Sequence, residues 1–247
     1  MAGSQTSIEI RQLFEISDFE RVVELQREIW GFVETELLPV RFLVVVSKVG
    51  GHVFGAFDGE RMVGFCFAIP GVKPGPVPYL HSHMLGVLPE YRNFAIGRRL
   101  KLRQKEEALS RGIKLIEWTF DPLELKNAFL NIEKLGAVIR RYVPNLYGMT
   151  SSPLHGGIPT DRCYAEWWLD SPRVAATLAG ERRPTQAVER IAYPVDIDRI
   201  RKEDPARARE IQRANAARFQ KAFAQGLAVT GFERGTAEGT YLLEPWQ

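Results

Sequence analysis

The chain has 247 residues, of which 45% are hydrophobic, 26% charged and 11% aromatic, with a formal net charge of +3. This is a globular composition that excludes a disordered tail, and no apolar run approaches the roughly 20 residues a membrane-crossing helix needs. Two cysteines, Cys66 and Cys163, cannot form a disulfide framework, and no His/Cys spacing offers a zinc site. Residues 1–7 lack a secretory pattern, so a cytoplasmic protein without metal or membrane partner is the expectation.

Residues 7–14 alternate apolar and polar side chains, the period of a half-buried strand. Ser17 and Glu20 then form a capping-box pattern ahead of Phe19, Val22, Leu25, Ile29 and Trp30 at helical spacing, with Gly31 as the stop. A second helix is predicted over 39–49. Strands follow over 52–57 and 62–69, joined at Asp58-Gly59, a strong hairpin signal. Four prolines and two glycines make 70–78 a loop. Next come a strand over 79–87, a helix over 97–111, a strand over 114–120, a helix over 123–135 stopped by Gly136, and strands over 138–146 and 163–169.

This order predicts an α/β fold, a central mixed β-sheet flanked by helices, occupying residues 1–170. Residues 171–184 read as a linker to a small C-terminal αβ extension, 171–247, with a strand near 190–197, a helix, and strands over 227–233 and 240–244. Within the extension, residues 199–221 hold eight basic against three acidic side chains, a local +5 that leaves the rest of the chain at −2. Ile211, Phe219 and Phe223 recur there at helical spacing, so the segment reads as an amphipathic helix with a solvated face and nucleic acid is a disfavoured partner.

The run from Met84 through Leu100 lies between a predicted strand and a predicted helix. Small residues at Ala95 and Gly97 let the backbone approach a ligand, and the unbonded amides and positive dipole end of the helix converge on the same spot. Such a turn suits a diphosphate, with Arg92, Arg98 and Arg99 adding charge-assisted hydrogen bonds. Asn93 and Ile96 complete the turn.

Val87, Pro89, Arg92, Ala95, Gly97 and Leu100 fall on a pattern that resembles motif A of the GNAT family of acyl-CoA-dependent N-acyltransferases. Ala95 departs from it, standing where the family has glycine, a change compatible with the turn if φ there stays negative. Downstream, Asn127 through Gly136 resembles motif B, but Ile132 takes the place of the tyrosine that protonates the departing thiolate, and Ala137 replaces an aromatic residue. The resemblance covers about 79–137, extends by element order to about 169, and leaves the tail unexplained.

The resemblance implies an acyl-CoA co-substrate, with a pantetheine arm running along Met84, Leu85, Gly86 and Val87 as an extra strand would, and a thioester carbonyl near the Met84 or Leu85 amide. It implies an amine acceptor that attacks directly in a ternary complex. Asn127 and Asn131, four apart, are candidates for polar groups of the co-substrate. As general base, His81, His83 and Glu117 compete, the last as a buried carboxylate. Tyr147, ahead of Tyr142, is the candidate acid. The long segment 150–162 reads as a lid or specificity loop in which Arg162 would clamp an acceptor carboxylate, oriented by Asp161 or Thr160. His155 reads as exposed.

A small-molecule amine is thus the expected partner, an amino acid suiting Arg162, and a homodimer is compatible with the sequence. Two other readings stand beside this one. One is a non-catalytic CoA or nucleotide sensor or scaffold; the other is an acyltransferase docked to a macromolecule through its basic helix.

Overall fold

The computed structural model describes residues 7–149, 156–181 and 184–246. The chain forms two compact units that meet in sequence at Ile116/Glu117, not at 170/171.

The first unit is a four-stranded antiparallel sheet with three helices. Its strands, β1 (Ile8–Gln12), β2 (His52–Asp58), β3 (Arg61–Lys73) and β4 (Val77–Val87), pair in sequence order. The helices are α1 (Ile16–Trp30), α2 (Val40–Lys48) and α3 (Ile96–Ser110). Successive β4 residues show how the layers sit. A Cβ on Gly86 would strike Trp30 and Ile29 of α1 at 2.7 and 2.8 Å, whereas Leu85, pointing the other way, approaches Gly97 of α3. The core between them is apolar, with Phe19, Phe54, Phe65 and Phe67 fully buried.

Three local expectations change. Helix α1 starts two residues early, with Glu15 as N-cap and no side-chain cap; Asp18, inside the first turn, is held instead by Arg11 at 2.9 Å. The proline-rich stretch 70–78 is largely strand, because β3 and β4 continue as a ribbon to a turn at 74–76. Gly71 permits this, since a Cβ there would lie 2.5 Å from the Tyr79 ring. The third concerns Ala95 and is taken up below.

The second unit opens within β5 (Leu115–Phe120) and carries strands β6 (Val138–Val143), β7 (Arg162–Trp168), β8 (Glu189–Pro194), β9 (Leu227–Arg234) and β10 (Glu238–Pro245) in the order β5-β7-β6-β9-β10-β8. Its helices are α4 (Leu125–Phe129), which runs on as a π-helical turn over Leu130–Lys134, then α5 (Pro172–Leu178), α6 (Ile197–Glu203) and α7 (Pro205–Ala224). The expected linker is therefore helix α5, capped by Ser171 Oγ accepting from the Val174 amide, with Pro172 in its first turn and Val174 buried. The expected single basic helix is two, broken at Asp204-Pro205.

Nor are residues after 170 an appendage. β9 pairs with β6, the Phe232 amide donates to Glu133 at 2.7 Å, and the Tyr241 hydroxyl donates to the Pro122 carbonyl at 2.7 Å. These contacts knit 171–246 into the same core as 117–170. Among the described residues no helix is long and apolar enough to cross a membrane.

Candidate active site

In the first unit, β4 runs through a bulge into the turn that opens α3. Phe67 of β3 pairs with Met84 and Ala68 with Ser82, so His83 is an extra residue without an opposite number. The His81 and His83 rings lie 5.9 Å apart, and His83 sits 5.6 Å from Phe67. Burial lowers the His83 pKa below its ordinary value, which leaves the ring neutral at pH 7.

After β4, Pro89–Tyr91 makes a 3-10 turn braced by Tyr91 Oη donating to Asp58 at 2.8 Å. Ala95 then adopts φ 56°, ψ 19° and serves as the α3 N-cap. The condition of a negative φ is not met: the chain turns left-handed to enter the helix, and alanine takes a conformation that favours glycine, at a cost of about 1–2 kcal/mol. The helical ladder begins with the Arg99 amide bonding the Ala95 carbonyl, so the Ile96, Gly97 and Arg98 amides precede it.

An added Cβ at Gly97 would meet nothing closer than Leu85 Cδ2 at 3.4 Å. Packing within the protein does not require glycine there, and the residue leaves a cradle that a phosphate group fits. Arg92 is exposed, its Nε donating to the Val87 carbonyl at 3.3 Å, and Arg98 is half-exposed. Arg99 departs from the expected role, because its guanidinium donates to the Ile8 carbonyl and ties α3 to β1. The Ile96 side chain and Gly86 likewise serve the core.

No sequence pattern points to the polar chain behind β4. Lys101 Nζ donates to Ser82 Oγ at 2.7 Å, and Ser82 Oγ donates to Gln104 Oε1 at 2.9 Å. Gln104 Nε2 lies 3.0 Å from His52 Nε2, and His52 Nδ1 lies 2.7 Å from Glu107 Oε2. The carboxylate can only accept, so His52 carries its proton on Nδ1 and Nε2 accepts from Gln104. Lys101, Ser82, Gln104 and His52 are all buried, and burial lowers the Lys101 ammonium to about 7.

The remaining candidates stand in the second unit, and several have structural employment. Glu117 is buried but paired with Arg141 Nη2 at 3.0 Å, so a guanidinium balances its charge. Tyr147 is exposed and shares a 2.9 Å hydrogen bond with Thr119, while Arg162 lies over its ring at 5.4 Å and donates to the Asp161 carbonyl. The side chains of Thr160 and Asp161 bond within the chain. The Thr160 hydroxyl bonds the Tyr147 amide and Gly148 carbonyl, and the Asp161 carboxylate accepts from Tyr142 Oη at 2.6 Å and the Asn145 amide. They fold the 144–148 turn. Tyr142 is stacked on Phe219, and its hydroxyl pKa is raised by burial.

Asn127 is exposed whereas Asn131 is buried in the π-helical turn with Nδ2 unbonded, so the two do not act as a matched pair. Residues 150–155 of the segment singled out above, His155 among them, lie outside the described residues. Both cysteines are buried; desolvation raises both thiols, Cys66 to about 12, which leaves neither as a ready nucleophile.

Compared with solved structures, the chain shares its mixed α/β fold with acetyltransferases. The yncA protein of Salmonella typhimurium, solved with its cofactor acetyl-CoA, matches at TM-score 0.55 and 16% identity over 67% of this chain and 95% of its own. NAA60 of Arabidopsis thaliana with acetyl-CoA matches at 0.55 and 16%, over 67% and 100%. A GNAT-family protein of Desulfovibrio desulfuricans matches at 0.53 and 15%, over 66% and 99%. No curated protein sequence matches significantly. At these identities the likeness is one of fold.

Residues 19–136 match the model of the acetyltransferase (GNAT) family.

Proposed function

We propose that the protein is an N-acyltransferase passing an acetyl or related acyl group from acyl-CoA to the primary amine of a small molecule such as an amino acid. The observation that supports this best is the start of α3, where three amides ahead of the ladder, an open Gly97 and two accessible arginines converge as a diphosphate would require. In a ternary complex the amine nitrogen bonds the acyl carbon, the C–S bond breaks, the nitrogen surrenders a proton, and the thiolate leaves and is protonated. His83, neutral through burial, suits the proton-accepting task better than Glu117, whose charge is balanced by Arg141. Tyr147 is assigned to protonate the thiolate, and Arg162 to an acceptor carboxylate.

Calorimetry with acetyl-CoA, followed by thiol release across a panel of amines, tests the reading. The charge reversals Arg92→Glu and Arg98→Glu together are expected to weaken acetyl-CoA by about tenfold or more, since hydrogen bonds to charged groups are worth about 1.5–3 kcal/mol. Absence of heat with the unaltered protein, or full affinity in the doubly reversed variant, would overturn it. Binding without thiol release for any amine would favour the sensor reading instead.

A further inference from the structure

Helix α3 does two things one turn apart. Its first turn carries the Gly97 cradle, and four residues on, Lys101 reaches back through the core to grip β4 at Ser82. Ser82 is the last β4 residue paired with β3 before the extra residue His83, and pairing resumes at Met84. Its side chain is therefore the nearest fixed point to the bulge. That fixed point is not an isolated contact. Every donor in the chain points the same way, from Lys101 to Ser82 to Gln104 to His52 to the Glu107 carboxylate. Arg111 closes the far end, bonding both Glu107 and the Gly50 carbonyl. A one-directional series of this kind strengthens each member and tolerates little rearrangement.

A buried ammonium on such a series is expensive, and a methyl or methylene group would fill the space more simply. Resting on the acyltransferase reading, we infer that the Lys101–Ser82 contact is a positioning element. By pinning β4 immediately before its bulge, it sets the direction of the His83 ring and of the Met84 and Leu85 amides, the groups that would meet the acyl donor. Lys101 and Ser82 act through β4 and are positioning residues; neither is assigned a contact with substrate.

The contact is also sensitive to pH. Lys101 loses its proton near pH 7, where the ammonium that grips Ser82 becomes an amine with one fewer donor. Cys66 on β3 and His52 on β2 interact with it electrostatically, His81 and His83 flank Ser82 on β4, and Glu107 and Arg111 end the series on α3. Of these, Cys66 is held protonated by its raised pKa, and His52 and His83 are neutral at pH 7 with lowered values.

The test uses the whole protein, with Lys101→Met, Ser82→Ala and Ser82→Thr. In the unliganded protein the backbone amide resonances of His83, Met84 and Leu85 are expected to titrate with a midpoint near 7. That titration should vanish in the Lys101→Met and Ser82→Ala variants and return in Ser82→Thr, which restores a hydroxyl. With acetyl-CoA and an accepted amine, Ser82→Ala should lower kcat about tenfold, change acetyl-CoA affinity less than threefold, and lose the inflection near pH 7 from the kcat profile.

Amides that do not titrate in the unaltered protein overturn the inference. So does a Ser82→Ala variant with the kcat and pH profile of the parent. Should Lys101→Met fail to fold, the two Ser82 variants carry the test alone. A parent that binds no acetyl-CoA refutes the acyltransferase reading, and the amide titrations still decide whether Lys101 controls the bulge.

Discussion

Among the described residues each unit buries one cation deeply, and the two are handled in opposite ways. In the second unit Arg201 lies among three carboxylates, Asp121 at 3.0 Å, Glu124 at 2.8 Å and Asp198 at 2.6 Å. In the first, Lys101 grips the Ser82 hydroxyl at the head of a neutral relay that ends on the Glu107 carboxylate. Arginine stays charged at any ordinary pH and its planar fork engages several carboxylates at once. Lysine loses its charge readily when desolvated. A permanent charge surrounded by opposite charges is a fixed joint, whereas a desolvated ammonium on a hydroxyl is a joint that titrates.

The sharpest way to break this comparison is at Arg201. Arg201→Met leaves Asp121 buried without its partner and is expected to cost about 3–5 kcal/mol, read as a lower midpoint in urea denaturation at pH 7. An unchanged midpoint would mean that the joint is not fixed by charge.

Lys101 predicts a slope in place of a step. Its pKa falls from 10.5 in the unfolded chain to about 7 in the folded one, so above pH 7 the unfolded chain binds more protons and stability rises with pH. At about 1.4 kcal/mol per unit, the gain is roughly 2–3 kcal/mol between pH 7 and pH 9. Beyond that, the buried tyrosines and thiols, whose raised values act in the opposite sense, enter. Lys101→Met should flatten the rise; a Tm that climbs equally in the variant would assign it to another group.

The smallest expected effect is at the cradle. Ala95→Gly removes left-handed strain and regains unfolded-state freedom, for a net stabilisation of about 0.5–1 kcal/mol. Acetyl-CoA affinity should be equal or tighter. Loss of stability would show that Ala95 is not strained in solution.

What could be read from the sequence follows the range of the interactions involved. The Asp58-Gly59 hairpin, the Gly31 stop with its φ of 65° and the Met84 to Leu100 turn are short-range features, and each is found where its residues imply. The Lys101 relay was hidden because α3 has no clean apolar stripe. Its inward face mixes Ile96, Leu100 and Ala108 with Lys101 and Gln104, among Arg98, Arg99 and Arg103. Which cation turns inward depends on Ser82 and His52, far away in sequence. The turn-building bonds of Asp161 and Thr160 were hidden for a similar reason, since the groups they satisfy lie more than ten residues upstream. The linker reading of 171–184 failed because alanine and arginine are good helix formers once Ser171 and Pro172 supply a start.

The π-helical turn at Leu130–Lys134 is one residue longer than a regular helix would be, and its C-terminal end is anchored twice, by the Phe232 amide donating to Glu133 and by the Trp167 indole donating to the Leu135 carbonyl. Excising a single residue from that turn would regularise the winding and rotate Asn127 by about 100° about the axis relative to the anchored half. The surplus residue therefore works as a phase setting, the one place in the helix where a length change reorients a surface without altering any side chain on it.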